Sequence, residues 1–347
     1  MLHSIQALRI LSAIWVVLYH ARDNAVLAPA SGLWHTFISF GYLGVDVFFV
    51  ISGFIMAMNT AERPAGARQA VRFFAIRCAR IYSGWWPVFL LCLLLYGTTG
   101  QLQGKDLFGS FWLYQFNFNV LVLPVTWTLT CELYFYVIVS LSLLLPRGWR
   151  PSVLWVFFAA IVVANVWWVA HDRYSAEQFE RSNFGMYLFL SPLCLEFLLG
   201  YLLQRQQQRL RLPVPVLASF TLISAAGLYC YAIRMALKPS GLSGFFHSPE
   251  RALLAGLLAS GLLCLFLRLE KWLPYRLSLW GGDISYMVYL LHLPTLWLFE
   301  RFVAPALPQG MPSSLAMALA LAMTLGLSTL LHLAAERPAY RWFKSLS

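Results

Sequence analysis

Two ionisable side chains lie at the ends of long apolar segments, one just after the first segment and one where the second begins. His20 follows the apolar run that begins at Ile5, and Asp46 lies in the sequence GVDVFFVISGF, where the second run begins. If the first segment runs outward through a membrane and the second runs back, both residues reach a similar depth. A carboxylate beside an imidazole fixes its tautomer and stabilises the imidazolium, as a general base requires. The alternative interpretation is a histidine at a membrane interface and a polar residue at a helix start.

Two arginines, Arg77 and Arg80, precede the third apolar segment in the sequence RCARIY. Residues three apart share one face of a helix. Guanidinium groups present a planar fork of N–H donors that suits phosphate oxygens. The pair therefore predicts a site for a phosphate-bearing ligand, with ordinary retention of positive charge on the cytoplasmic side as the alternative.

Two further segments carry polar groups within apolar surroundings. Glu132 lies about two turns into the fourth segment, in WTLTCELYFY, and Ser285, Tyr286 and His292 lie in SYMVYLLH of the ninth. An ionisable group in a membrane span is a functional-site hypothesis, because its burial is costly. As alternatives, Glu132 is a structural partner for a buried Arg, Tyr or backbone group, and His292 is a buried histidine satisfied by packing. The ninth segment is therefore a secondary site, and Glu196, which no motif surrounds, is interpreted as structural.

The composition indicates what must position these residues. Apolar residues (AVILMFWYC) make up 60% of the 347 residues and charged residues 11%, whereas a soluble globular chain has about 25% charged residues. A spanning helix needs roughly 20 predominantly apolar residues, because every backbone polar group must be satisfied inside the segment. The chain is therefore predicted to be an all-α, polytopic membrane protein.

About ten spanning helices are predicted. They cover residues 5–19, 40–58, 85–99, 126–145, 153–170, 184–203, 214–233, 253–267, 279–299 and 314–335. The segment 108–123 contains Asn117 and Asn119 and suits an interfacial or re-entrant piece. Lys and Arg concentrate in the connections on one side, which predicts that both termini are cytoplasmic. The net charge of +11 then reflects this bias and attraction to anionic lipid, not nucleic-acid binding.

The whole chain, 1–347, is predicted to be a single membrane-embedded domain with no appended soluble domain. The first segment is expected to be retained and not cleaved as a signal peptide, because Arg9 lies inside it and a basic n-region is missing. The six cysteines lie in or beside the apolar segments without CxxC spacing. Neither a disulfide framework nor a metal site is therefore expected.

The order and spacing of these residues resemble the membrane acyltransferase 3 family over nearly the whole chain. The resemblance rests on LR at 8–9 with YH at 19–20, GVD at 44–46 with SGF at 52–54, RxxRI at 77–81, WTLxxExxFY at 127–136, SY at 285–286 with His292, and ERP at 336–338. The opening IQALR is similar to the exopolysaccharide acetyltransferase branch of the family.

The resemblance implies a function. Members of the family are ten-helix proteins of the bacterial inner membrane that move acyl groups, usually acetyl, from a cytoplasmic CoA thioester to hydroxyls of envelope or secreted glycans. By resemblance, His20, Asp46 and Glu132 match catalytic positions, and Arg77 and Arg80 match the donor-side arginines that bind acyl-CoA. The implied partners are acyl-CoA as donor substrate, a glycan or lipid-linked glycan acceptor and the lipid bilayer, with no permanently bound cofactor and no nucleic acid.

One departure and one alternative accompany the resemblance. The family usually places a proline close after its arginines, whereas Ser83 stands there and the proline is delayed to Pro87, which bears on the helix geometry at the donor side. The alternative function is a transporter or flippase for a lipid-linked saccharide, in which the same buried charges would couple ions or hold cargo. The chain lacks an internal repeat and paired Gly/Pro-broken spans, which disfavours transport.

Overall fold

The computed structural model describes residues 2–23, 27, 32–115, 117, 119–170, 191–206, 212–236 and 248–345. The described residues form helices joined by turns and irregular chain, and no strand occurs among them. The α-helices are α1 His3–Ala21, α2 Gly32–Ser39, α3 Gly44–Thr60, α4 Ala67–Gly97, α5 Leu107–Trp112, α6 Trp127–Ser142, α7 Arg150–Ala170, α8 Leu193–Gln206, α9 Val214–Ala236, α10 Pro249–Arg268, α11 Tyr275–Leu298, α12 Ser313–Leu331 and α13 Arg337–Ser345.

Each of the ten predicted segments overlaps one of these helices. The first part of the sixth predicted span, 184–190, lies outside the described residues. The largest difference is in α4, which begins at Ala67 although the predicted span began at Trp85. The segment 108–123 is not a span: α5 ends at Trp112, the next residue, Leu113, has a left-handed φ of 56°, and irregular chain follows.

Eight helical stretches among the described residues are long and apolar enough to cross a membrane. Two predicted spans fall outside those eight. Helix α8 is described over only 14 residues, and α11 carries Asp283 and His292, which lower its hydropathy. The architecture confirms the predicted all-α, polytopic membrane protein, while the number of ten spans and the cytoplasmic termini stay predictions.

The chain divides into two compact units. The first unit contains Met1–Val45, Ile76–Leu129 and Trp272–Ser347, and the second contains Asp46–Ala75 and Thr130–Lys271. Each unit is therefore assembled from segments that are distant in sequence.

In the first unit, α1 and α11 run parallel and in register. His3 packs edge-on against Tyr275, with ring centroids 5.4 Å apart, and the rings of His20 and His292 meet at 5.0 Å. From the first pair to the second, both helices advance by the same number of residues, about 25 Å. Two ring contacts so far apart on both helices set which residues face each other along their length.

Glycines permit this close packing. A Cβ atom on Gly281 would lie 2.8 Å from the Ile10 side chain, and one on Gly282 would lie 2.4 Å from that of Gln6. Gly44 faces α1 in the same way, since a Cβ there would lie 2.4 Å from the carbonyl oxygen of Ser12. Larger side chains at these positions would separate the helices that present His20 and His292.

In the second unit, α3 and α8 touch backbone to backbone. A Cβ atom on Gly53 would lie 1.8 Å from the carbonyl oxygen of Phe197, and one on Gly200 would lie 1.9 Å from that of Val50. The ring of Phe135 on α6 stacks on Phe197 at 4.3 Å. This crossing holds the first turns of α3 and α8 in one unit.

An arginine closes the other end of α3. Arg150 is buried, and its Nη1 donates to the carbonyl oxygens of Thr60 and Arg63 at 3.2 and 2.9 Å. The last carbonyls of a helix have no partner within the helix. Arg150 therefore satisfies the end of a helix.

Replacing Gly200 by alanine tests the crossing of α3 and α8. Because the new methyl group would meet the Val50 carbonyl, Gly200→Ala should destabilise the protein by about 1–3 kcal/mol, the usual cost of overpacking, and lower its Tm in detergent. The control is Gly326→Ala in α12, where nothing lies within 4 Å of the added methyl group and the Tm should not fall. Equal Tm values for both variants and the wild-type protein would contradict the contact.

Candidate active site

His292 lies in α11 and is fully buried. Its Nδ1 is 2.6 Å from the carbonyl oxygen of Tyr289. A carbonyl oxygen only accepts hydrogen bonds, so Nδ1 carries a hydrogen and the neutral ring keeps its lone pair on Nε2. Among the described residues, that Nε2 has no hydrogen-bond partner. The fold thus presents one unused acceptor atom on a ring whose tautomer is set by the backbone.

The ring next to His292 is that of His20, in the last turn of α1. Their centroids lie 5.0 Å apart with the planes tilted by 38°, and His20 is half-buried. The sequence predicted His20 as a catalytic residue and His292 as a secondary one, with packing as the alternative role of His292. The structure brings the two imidazoles together.

The turn of α11 that holds His292 is anchored through Tyr289. The Tyr289 hydroxyl lies 2.9 Å from Oγ1 of Thr128 and 3.1 Å from the carbonyl oxygen of Val125. Thr128 belongs to the WTL motif at the start of α6. That motif therefore supports the position of His292, a role that the sequence did not predict.

Asp46 lies in the first turn of α3, where its carboxylate is ion-paired. Oδ2 of Asp46 is 2.6 Å from Nη2 of Arg251, and Oε1 of Glu196 is 3.7 Å from Nη1 of the same guanidinium. All three side chains are buried. The predicted pairing of Asp46 with His20 stays a prediction, because Asp46 belongs to the second unit and His20 to the first.

Sequence reasoning missed the role of Arg251 and interpreted Glu196 as structural only. Arg251 lies in the first turn of α10, after the Ser248 cap. A signal was available, because two carboxylates inside apolar segments require a cation nearby. Arg251 lies at the beginning of an apolar run, and a cation at that position can be buried.

Glu132 is held by two hydroxyl groups. Its Oε1 accepts hydrogen bonds from Ser52 Oγ at 3.0 Å and from the Tyr136 hydroxyl at 2.5 Å. The tyrosine contact agrees with the structural alternative for Glu132, while the half-buried carboxylate leaves the predicted catalytic role untested. Ser52 belongs to the SGF motif, so two motifs of the sequence meet at this carboxylate.

Arg80 forms an ion pair with Glu336. Glu336 is fully buried and also lies 2.7 Å from Nδ1 of His332. A π-helical turn, His332–Glu336, places these last two side chains side by side, and such turns are frequent at functional sites. The sequence identified Glu336 only as part of the ERP motif and did not predict this contact.

The predicted donor arginines lie on one helix. Arg77 and Arg80 are both half-buried on α4, and the guanidinium carbon of Arg80 lies 5.4 Å from the centre of the Tyr286 ring. Helix α4 continues unbroken through Ser83, where the family usually has a proline, and carries Pro87 in its interior. Helix α4 is therefore continuous at the position where the family usually has a proline.

The remaining predicted residues of α11 have local partners. The Ser285 hydroxyl donates to the carbonyl oxygen of Gly282 at 2.8 Å, and the Tyr286 hydroxyl donates to that of Ile81 at 2.8 Å. Tyr286 thus contacts α4 both through its ring and through its hydroxyl group. In the described part of the chain, no group of three or more His, Cys, Asp or Glu residues could hold a metal ion.

Comparison with known proteins decides the class of this arrangement. The family model described as "Acyltransferase domain" matches residues 2–333. The chain belongs to the acyltransferase 3 family. It is therefore an O-acyltransferase, and the match includes His20, Asp46, Glu132 and His292 but ends before Glu336.

Two curated proteins are similar to this chain. The exopolysaccharide production protein ExoZ of Rhizobium meliloti (strain 1021) is 30% identical over 324 residues, which cover 87% of this chain and 90% of the relative. Nodulation protein 10 of Rhizobium leguminosarum bv. viciae is 29% identical over 181 residues, covering 45% and 47% of the two chains. No solved structure matches the chain.

Proposed function

We propose that the protein transfers an acyl group, acetyl in the simplest case, from cytoplasmic acyl-CoA to a hydroxyl of an exopolysaccharide or another envelope glycan. We place the reaction in the bacterial inner membrane. The observation that carries the proposal is the similarity to the exopolysaccharide production protein ExoZ over 87% of this chain and 90% of that relative. The imidazole pair of the first unit, His20 and His292, supplies the base that such a transfer needs.

In the proposed reaction His20 is the general base. It takes the proton of the acceptor hydroxyl while the hydroxyl oxygen attacks the thioester carbonyl carbon. The carbon–sulfur bond then breaks, and the CoA thiolate receives the proton from His20. The products are the O-acyl glycan and CoA, and no nucleophile other than the acceptor is needed.

His292 suits the role of orienting His20. Since its Nδ1–H is bound to the Tyr289 carbonyl, Nε2 is the atom that can accept an N–H from the neighbouring imidazole. A histidine that donates one N–H in this way keeps the lone pair of its other nitrogen for the substrate. Asp46 and Glu132 are proposed to add negative charge that favours the imidazolium, as the family resemblance implies.

Arg77 and Arg80 are proposed to bind the phosphates of the donor. Arg80 lies against Tyr286, and His292 is about 9 Å further along the same helix. An extended pantetheine arm can span that distance. Phosphates bound at α4 would therefore place the thioester beside the imidazoles of α1 and α11 within one unit.

Removing the base should stop transfer without preventing binding. His20→Ala should lower the rate of acetyl transfer about a hundred-fold or more, because a positioned proton acceptor contributes that much. The assay follows labelled acetyl from acetyl-CoA into the glycan in isolated membranes. The control is His35→Ala on α2, an exposed histidine. Asp46→Asn combined with His20→Ala should be little worse than His20→Ala alone, since residues that act as a unit are not additive.

Two results would count against this assignment. Multiplying losses in the double variant would give Asp46 and His20 separate tasks. A His20→Ala protein that transfers acetyl at the normal rate would remove His20 from the reaction and make His292 the remaining candidate base.

Removing a donor arginine should weaken acyl-CoA binding while the protein still inserts. A hydrogen bond to a charged group contributes about 1.5–3 kcal/mol, so Arg77→Ala or Arg80→Ala should raise the apparent Kd for acetyl-CoA by roughly ten-fold or more. The control is Arg72→Ala, an exposed arginine on the same helix. If both variants bind acetyl-CoA as the control does, the two arginines determine topology only.

A further inference from the structure

Three buried charged side chains in the second unit come from the first turns of three helices. Asp46 on α3 is 1% exposed, Glu196 on α8 is 0% exposed and Arg251 on α10 is 5% exposed. Among the residues that the structure describes, Arg251 is the one cation within ion-pair distance of either acid. The titratable neighbours Cys131 and Cys194, which interact electrostatically with Glu196, are thiols and supply no positive charge.

The charges of this cluster do not balance if both acids are ionised. Two carboxylates and one guanidinium leave one uncompensated negative charge in a buried site, which is strongly unfavourable. The N-termini of the three helices add positive partial charge, but these termini carry no full charge. One bound proton would make the cluster neutral.

Unsatisfied oxygen atoms indicate where that proton lies. In the described residues, Oδ1 of Asp46 and both carboxyl oxygens of Glu196 are buried without a hydrogen-bond partner. Buried polar atoms in native proteins are nearly always hydrogen-bonded. Two carboxylates offer only acceptors, whereas a carboxylic acid offers one O–H donor. The side chains of Glu196 and Asp46 interact with each other directly. One proton between them therefore makes Glu196 an O–H donor and gives the Asp46 carboxylate a hydrogen-bond partner.

The distances to Arg251 distinguish the two acids. Its guanidinium is 2.6 Å from Asp46, which is a charge-assisted hydrogen bond, but 3.7 Å from Glu196, which is too long for one. We propose that Asp46 and Glu196 share one bound proton, with Asp46 as the carboxylate paired with Arg251 and Glu196 as the neutral acid that donates to Asp46. Glu196 is then a positioning residue for Asp46.

This arrangement makes the roles of the two acids unequal. Glu196→Gln replaces a neutral O–H donor by a neutral N–H donor of similar shape, so the cluster stays balanced. Asp46→Asn removes the partner of Arg251, and Glu196 then gives up its proton to pair with the guanidinium. Arg251→Gln removes the cation, and the second acid then takes up a proton as well.

Infrared spectroscopy of the full-length protein in lipid nanodiscs at neutral pH tests the proposal, because only a protonated carboxyl group gives a carboxylic acid C=O band. The wild-type protein should show one such band that shifts with ¹³C-carboxyl glutamate and not with labelled aspartate. The band should disappear in Glu196→Gln and in Asp46→Asn and grow in Arg251→Gln. It should persist in Glu62→Gln, whose side chain is 91% exposed.

The isotope experiment on the wild-type protein can overturn the proposal even if a variant fails to fold, and the Glu196→Gln variant assigns the band to Glu196. A spectrum without a carboxylic acid band that responds to labelled glutamate would overturn the proposal. Both acids would then be ionised, and the helix N-termini would stabilise the second negative charge. A band that survives Glu196→Gln in a folded protein would also overturn it. Neither measurement involves acyl transfer, so the outcome is separate from that of the proposed function.

Discussion

A charged or polar side chain within apolar helices is stable only where another group of the protein meets it. Each ionisable residue of the candidate site is met in a different way. Asp46 has a guanidinium, Glu132 has two hydroxyl groups, and Glu336 has Arg80 together with His332. His292 has a backbone carbonyl at one nitrogen only. Its Nε2 is buried and has no hydrogen-bond partner in the part of the chain that the structure describes, so this nitrogen is left for another group.

Close helix packing places the His292 ring beside that of His20. The parallel helices α1 and α11 approach through Gly281 and Gly282, and ring contacts at both ends set their register. A shift of one residue would turn the histidines to different faces, because successive residues on a helix are about 100° apart. The imidazole pair is therefore a product of glycine packing far from the histidines themselves.

The sequence was sufficient for the fold class, whereas the roles predicted for the site residues stay predictions. Apolar length located the helices, and burial cost singled out Asp46, Glu132 and His292. The early start of α4 was missed because its first turns carry Arg68, Arg72 and Arg77, which mask a helix in a search for apolar runs. A helix can extend beyond its apolar segment, and hydropathy locates only the apolar segment.

Partners were harder to predict than residues. Arg251 and Asp46 are 205 positions apart, and Arg80 and Glu336 are 256 apart. No local pattern connects such pairs, because they depend on which helices become neighbours. The same reason explains why His20 and His292 were identified separately and their contact was not.

The central claim is that these elements transfer an acyl group from a cytoplasmic thioester to a glycan hydroxyl. The most direct test uses full-length protein in proteoliposomes with an exopolysaccharide oligosaccharide and acetyl-CoA supplied to one face. CoA thiol and O-acetyl glycan should form in equal amounts, and only when acetyl-CoA is on the face where a cysteine at position 68 reacts with an impermeant reagent. Intact acetyl-CoA with unmodified saccharide moved across the bilayer would contradict the account.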